Sequence, residues 1–293
     1  MNIIDLRSDT FTQPTDAMRE AMAGAEVGDD VFEEDPSVKK LEQLAANKMG
    51  KEAALFVPSG TMGNLVSILT HCERGTEILL GDKSHTFYYE AGGISAFGGI
   101  HSRQLPNQLD GTIKVNDIQL AIRVDNVHFP KTSAIALENT HNLCNGSPLS
   151  QDYIRDVFNI ARNNDMKLHI DGARIFNAAV SLDLDVKDLV ADSDSITFCL
   201  SKGLGCPIGS LICGDYQTIN EARRWRKWLG SAMRQAGIIA AAGIIAMEKM
   251  VDRIDPHLIL SIIETVQKPK QSRGTGRSFS WASWLIEQLF ATA

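Results

Sequence analysis

Short apolar runs that end in a glycine- or proline-bearing turn and then give way to helical spacing recur along most of this chain, and this alternation constrains its fold more than any other feature. Residues 53–57 form such a run, Pro58-Ser59-Gly60 turns the chain, and 61–71 continue with helical period. Further strands are expected at 77–80, 134–138, 167–170, 195–199 and 208–213, with helices at 150–163, 216–229 and 232–251. Ahead of them, 15–22 reads as a short helix. A second helix starts at the N-cap Asp35 with Pro36 in its first turn, buries Val38, Leu41, Leu44 and Ala45 on one face, and stops at Gly50. Strands separated by helices predict an α/β fold with a mixed, mostly parallel central sheet. The short link between 195–199 and 208–213 leaves an antiparallel pairing of those two strands open.

A chain of 293 residues, 44% hydrophobic, is long enough to bury a large core. Its formal charge of -7 argues against nucleic acid or an anionic membrane surface as the main partner. The apolar stretch 237–247 is about half the length of a membrane span and reads as a packed helix. Cys72, Cys144, Cys199, Cys206 and Cys213 form no CxxC pair, which suits buried thiols in a reducing compartment. The opening residues lack a basic flank followed by an apolar stretch, so a cytoplasmic location is expected.

Chemistry concentrates where strands end. In HIDGAR, 169–174, Asp171 stands at the carboxyl end of an expected strand, where α/β folds place ligands. It could pair with a protonated heterocyclic nitrogen, or cap the next helix as an ordinary turn aspartate. Lys202 follows the next strand among glycines and could form a Schiff base, or be a surface lysine in a turn. Gly60 and Thr61 open a helix whose first amides could hold a phosphate, although no P-loop lysine is present. His85 could stack on a planar cofactor or carry a proton, and His128 and His141 are further candidates. Arg234 could contact a phosphate or carboxylate, whereas Arg223, Arg224, Arg226 and Lys227 suit a solvated helix face. No HExxH or comparable pattern points to a catalytic metal.

Taken together, LRSDT, VGDD, PSGTMGN, LENTHN, HIDGAR and SKGLGCPIGS resemble the low-specificity L-threonine aldolase family from the first residues to about Asp252. The resemblance implies an aspartate-aminotransferase-like fold, pyridoxal 5'-phosphate as cofactor, and a homo-oligomer, tetramer or dimer, whose subunits complete one another's sites. It implies cleavage of L-threonine or L-allo-threonine to glycine and acetaldehyde, with a small amino acid as the partner. By the matching motifs, Lys202 would carry the cofactor, Asp171 would pair with its ring nitrogen, and Arg174 would contact its 3-oxygen. Gly60 and Thr61 would bind phosphate, assisted by Arg234, and His85 would stack on the ring. Ser8 would lie near the substrate carboxylate and His128 near its hydroxyl; His85 and His128 both suit the role of base.

The resemblance implies a large cofactor-binding domain with an N-terminal arm over residues 1–252. Residues 253–293 read as a divergent C-terminal remnant or tail, leaving the family's small domain incomplete. A catalytically impaired relative that binds the cofactor or forms oligomers, or another lyase reaction on the same cofactor, is the alternative.

Overall fold

The computed structural model describes residues 7–254. In chain order the elements are α1 (Asp16–Ala23), α2 (Pro36–Met49), β1 (Ala53–Val57), α3 (Gly60–His71), β2 (Glu77–Gly81), α4 (His85–Tyr88), α5 (Gly93–Gly98), β3 (His101–Leu105), α6 (Val115–Ala121), β4 (Thr132–Glu138), α7 (Gln151–Asn163), β5 (Lys167–Asp171), α8 (Ile175–Ser181), α9 (Val186–Leu189), β6 (Ser195–Cys199), β7 (Ser210–Gly214), α10 (Tyr216–Trp228) and α11 (Gly237–Ile245). Side-chain oxygens of Thr15, Asp35, Ser59, Ser150 and Asp215 cap the longer helices, satisfying amides that have no partner inside the helix.

The strands form a seven-stranded sheet in the order β1-β7-β6-β5-β4-β2-β3. β7 runs antiparallel to both β1 and β6, and the other pairings are parallel. The expected mixed, mostly parallel α/β architecture is present, and the open question about the 195–199 strand resolves as antiparallel. All strands except β7 therefore deliver their carboxyl ends to one edge.

Alternation along each strand sorts side chains onto two faces. Leu168, Ile170, Ile196 and Phe198 join the larger core with α2, α7, α8 and α11. The other face is covered by α3, α5 and α10 over Leu55, Val57, Ile78, Leu80 and Ile212. His169, Asp171, Ser195 and Thr197 fall on this second face by the same alternation, beneath α3.

Four expectations change. Arg226, expected on a solvated helix face, is buried, where it pairs with Asp30 at 2.7 Å and donates to the Phe56 carbonyl at 2.7 Å, while Arg224 and Lys227 of the same run are exposed. The helix expected at 232–251 becomes α11, then a π-helical turn Ala246–Met250 and a 3-10 turn Val251–Arg253. Its start is set by Asp35, whose Oδ2 accepts the Gly237 amide at 2.8 Å while Oδ1 caps α2. The strand expected at 208–213 begins at Ser210, because Gly209 has φ +111 and a Cβ there would stand 2.5 Å from the Phe56 ring. β3 had no expectation at all: His-Ser-Arg-Gln-Leu is a partly exposed edge strand with little apolar content. The expected tail lies outside the described residues from 255 onward.

Candidate active site at the carboxyl edge of the sheet

Five segments reach the edge from different strands. β1 leads into α3, β2 into His85, β4 ends at Glu138, β5 ends at Asp171, and β6 leads to Lys202. Parallel pairing places Glu138 opposite Asp171 and Asp171 opposite Thr197.

Asp171 is buried and held from two sides. Its Oδ1 accepts the Ala173 amide at 3.1 Å, and its Oδ2 accepts Asn64 Nδ2 at 2.8 Å. The same Asn64 nitrogen donates to Glu90 Oε1 at 2.8 Å, and that oxygen also meets His85 Nδ1 at 2.8 Å. His85, Glu90 and Asp171 consequently present polar atoms within 4.8 Å of one another. The hydrogen bond that His85 donates to Glu90 raises the His85 pKa against the opposing effect of burial. Burial raises the Glu90 carboxyl pKa.

Asn64 reaches Asp171 because α3 lies very close to the sheet. A Cβ on Gly63 would stand 2.4 Å from Thr197 Cγ2, and one on Gly60 would stand 2.8 Å from Cys199 Sγ. Glycine at both positions lets the first turn of the helix rest directly on β6. Its opening amides, capped by Ser59 Oγ, are thereby fixed at the same edge as Asp171. Thr61 in that turn is exposed.

Lys202 is half-buried against the Cys199 thiol, and its charge acts on both Cys199 and His85. Its carbonyl accepts the Thr12 hydroxyl at 2.8 Å, tying the N-terminal arm to the loop after β6. Ser8 caps the 3-10 turn Asp9–Phe11 in that arm. Arg174 donates from Nε and Nη2 to the two oxygens of Asp9, both at 2.7 Å, so the arm is gripped at a second point.

Glu138 was legible only as a letter within LENTHN. Buried at the end of β4, it accepts the His85 amide at 2.7 Å and the Asn142 amide at 2.8 Å. Burial, and then the charge of Asp171, push its carboxyl up to about 7. Asn64 and Glu90 carried no assignment in the sequence either, since a polar residue in a helix or turn has no distinctive spacing. Among the described residues, Glu90 Oε2, Ser84 Oγ and Thr197 Oγ1 are buried polar atoms without a hydrogen-bond partner. His141 is also buried, with Nε2 3.9 Å from Glu138 Oε2.

Two expected site residues lie elsewhere in the single chain. His128 is exposed on the loop before β4, where its amide donates to Asn126 Oδ1 at 3.0 Å. That is the opposite end of β4 from Glu138, roughly 20 Å away at the rise of an extended strand. Arg234 is exposed and pairs with Asp29 at 2.8 Å, while its carbonyl accepts the Asp30 amide.

A model of the beta-eliminating lyase family matches residues 5–258. The probable low-specificity L-threonine aldolase 2 of Arabidopsis thaliana is 51% identical over 255 residues, covering 86% of this chain and 72% of that protein. The low specificity L-threonine aldolase of Escherichia coli (strain K12) is 47% identical over 252 residues, covering 86% of this chain and 75% of its own length. Among solved structures, a threonine aldolase of Leishmania major superposes with a TM-score of 0.74 at 21% identity, over 87% of this chain and 74% of that one. At that identity, the superposition speaks to the fold.

Proposed function

Because the chain belongs to the beta-eliminating lyase family, and within it to the low-specificity L-threonine aldolases, we propose that it binds pyridoxal 5'-phosphate at Lys202 and cleaves L-threonine or L-allo-threonine to glycine and acetaldehyde. The observation that carries this reading is the buried Asp171 carboxylate, held by Asn64 and facing the same edge as His85 and Lys202. Asp171, Glu90 and Glu138 concentrate buried carboxyl groups there, a setting that suits a cationic ring nitrogen. The amides opening α3 suit its phosphate, and the residues present fit the cofactor.

When bound, pyridoxal phosphate supplies a conjugated cationic ring that accepts the electron pair of the breaking Cα–Cβ bond. Asp171 would pair with the ring nitrogen. His85, with its Nδ1 engaged by Glu90, would lie against the ring and offer Nε2 as a group able to take the β-hydroxyl proton. Gly60 and Thr61 would hold the phosphate at the start of α3, Arg174 would serve the 3-oxygen, and Ser8 the substrate carboxylate. Clamping that carboxylate aligns the scissile bond and selects carbon–carbon cleavage over other outcomes.

His128 and Arg234 serve the site of a neighbouring copy in a homo-oligomer, which accounts for their exposure in one chain. The substrate is a small amino acid. Among the described residues no helix is long and apolar enough to cross a membrane.

The test follows glycine and acetaldehyde from L-threonine and L-allo-threonine in the purified 293-residue protein supplied with pyridoxal 5'-phosphate, beside Lys202→Ala. Equimolar products that vanish in the variant are expected. A folded, cofactor-loaded protein that forms neither product overturns the reading.

A further inference from the structure

Behind Asp171, on the face of the sheet covered by α3, polar side chains continue away from the site. Asn64 Oδ1 lies 3.2 Å from His169 Nε2, and His169 Nδ1 lies 2.8 Å from Ser195 Oγ. Ser195 Oγ in turn lies 2.7 Å from His71 Nε2. The register of β5 and β6 sets the middle of this row, since His169 pairs with Ser195 just as Asp171 pairs with Thr197 two residues on. His169 and Ser195 have no exposed surface, and Asn64 has almost none. His71 lines a surface cleft with Thr70, Lys167, Asp215 and Arg224.

The direction of every hydrogen bond in the row follows from its inner end. The Asn64 nitrogen faces two carboxyl oxygens, of Glu90 and Asp171, so both of its hydrogens are committed there and Oδ1 must accept. His169 must then carry its proton on Nε2, which leaves Nδ1 as an acceptor. A neutral ring is what this position favours, because burial depresses the His169 pKa to about 3. Ser195 must donate to His169 Nδ1, and its oxygen then accepts from His71 Nε2. No other arrangement satisfies each atom without placing two acceptors or two donors face to face.

We propose that Asn64, His169, Ser195 and His71 form a one-way hydrogen-bond chain, every donor pointing inward, that holds the Asp171 carboxyl group in one rotamer. All four are positioning residues: they act on the bound ring only through Asp171. Hydrogen bonds aligned in one sense polarise one another, so the oxygen that faces Asn64 is met by a stronger donor than an isolated amide. The role toward the ring rests on the proposed cofactor reading, whereas the chain itself does not.

The full-length protein with ¹⁵N-labelled histidine gives the test, by NMR before and after addition of pyridoxal 5'-phosphate, with signals assigned through His169→Gln and His71→Gln. The expected result is a neutral ring protonated on Nε2 at both positions; an Nδ1-protonated or charged His169 overturns the chain whatever the protein catalyses. Ser195→Ala should leave His169 protonated on Nε2, where Asn64 still accepts, but remove the donor to Nδ1, shifting the Nδ1 resonance toward that of a free acceptor nitrogen and weakening cofactor retention about tenfold, the scale of one lost hydrogen bond. Ser195→Thr, which keeps the hydroxyl, should restore both. Unchanged His169 signals and cofactor retention in Ser195→Ala, or equal damage from Ser195→Thr, would show that packing rather than hydrogen bonding matters and would end the proposal. Correct tautomers without threonine cleavage would leave the chain standing and remove the aldolase reading instead.

Discussion

Arg174 binds both oxygens of Asp9 through parallel 2.7 Å hydrogen bonds, joining the start of α8 to an arm that begins the described chain. The pair is partly shielded, with about a quarter of each side chain exposed. A two-point contact of this kind fixes direction as well as distance. It steadies the arm whose Thr12 hydroxyl bonds the Lys202 carbonyl and whose 3-10 turn is capped by Ser8.

Asp9→Asn should therefore loosen the arm more than the body of the protein. The expected loss of stability is about 1–3 kcal/mol, typical of a charge-assisted contact that keeps part of its hydrogen bonding. Because Ser8 is proposed to lie near the substrate carboxylate, KM for L-threonine should rise more than kcat falls. Urea unfolding and steady-state kinetics separate the two effects, and a kcat loss at constant KM would contradict the arrangement.

Gly63→Ala tests the close approach of α3 to β6. The added methyl group would meet Thr197 Cγ2, so α3 must rise and carry Asn64 away from Asp171. Overpacking of this kind costs about 1–3 kcal/mol. Thr197→Ser removes the opposing methyl group, and the double variant should recover at least about 1 kcal/mol relative to the sum of the single changes. Thermal or urea unfolding of the four proteins closes the cycle, and strict additivity would rule out the clash.

Glu138 gives a pH dependence whose sign can be stated. Its folded-state pKa of about 7 lies above the ordinary value of 4.5, so the folded protein holds this proton more tightly than the unfolded chain. The stabilising contribution is complete below pH 4.5 and is lost as pH rises through about 7. Glu138→Gln has no proton to lose. Comparing cofactor-free wild type and variant by urea unfolding, the stability difference should move in the variant's favour by on the order of a few kcal/mol between pH 4.5 and 8. A constant difference across that range would mean that Glu138 is ionised throughout.

Residues proposed to act across subunits make a complementation prediction. Lys202→Ala and His128→Ala proteins should each be impaired alone, yet a mixture allowed to exchange subunits should regain activity. In mixed assemblies some sites combine an intact Lys202 with an intact His128 from the neighbouring copy. Exchange verified by differently tagged subunits, with no regain, would place His128 outside the neighbouring site.

Strand ends were the most legible part of the molecule. β1 and β6 begin and end where their apolar runs do, because the flanking turns leave the backbone no continuation. Asp171, His85 and Lys202 could be singled out for the same reason: each stands at or just beyond a strand that ends on the common edge. Asn64 was not legible, because its meaning comes from a carboxylate 107 residues later and from two glycines that let α3 descend. Glu138 lay inside a recognised motif, but only the fold puts it beside Asp171 and against the His85 amide. β3 escaped notice because an exposed edge needs few apolar side chains. His128 lies in the exposed loop before β4, away from the common edge, and no spacing in the sequence reports this.

The pairing of β1 with β7 has a consequence for how the protein is made. β1 is complete at Val57, but the strand that covers its inner side ends at Gly214. At ~5–20 residues per second, a ribosome leaves that backbone row without its native partner for on the order of ten seconds or more. During this interval β1 is a waiting template for any extended segment nearby. α2, finished earlier, already satisfies the opposite side of the strand, where Glu42 accepts the Phe56 amide at 2.8 Å, so the waiting row is the inner one alone.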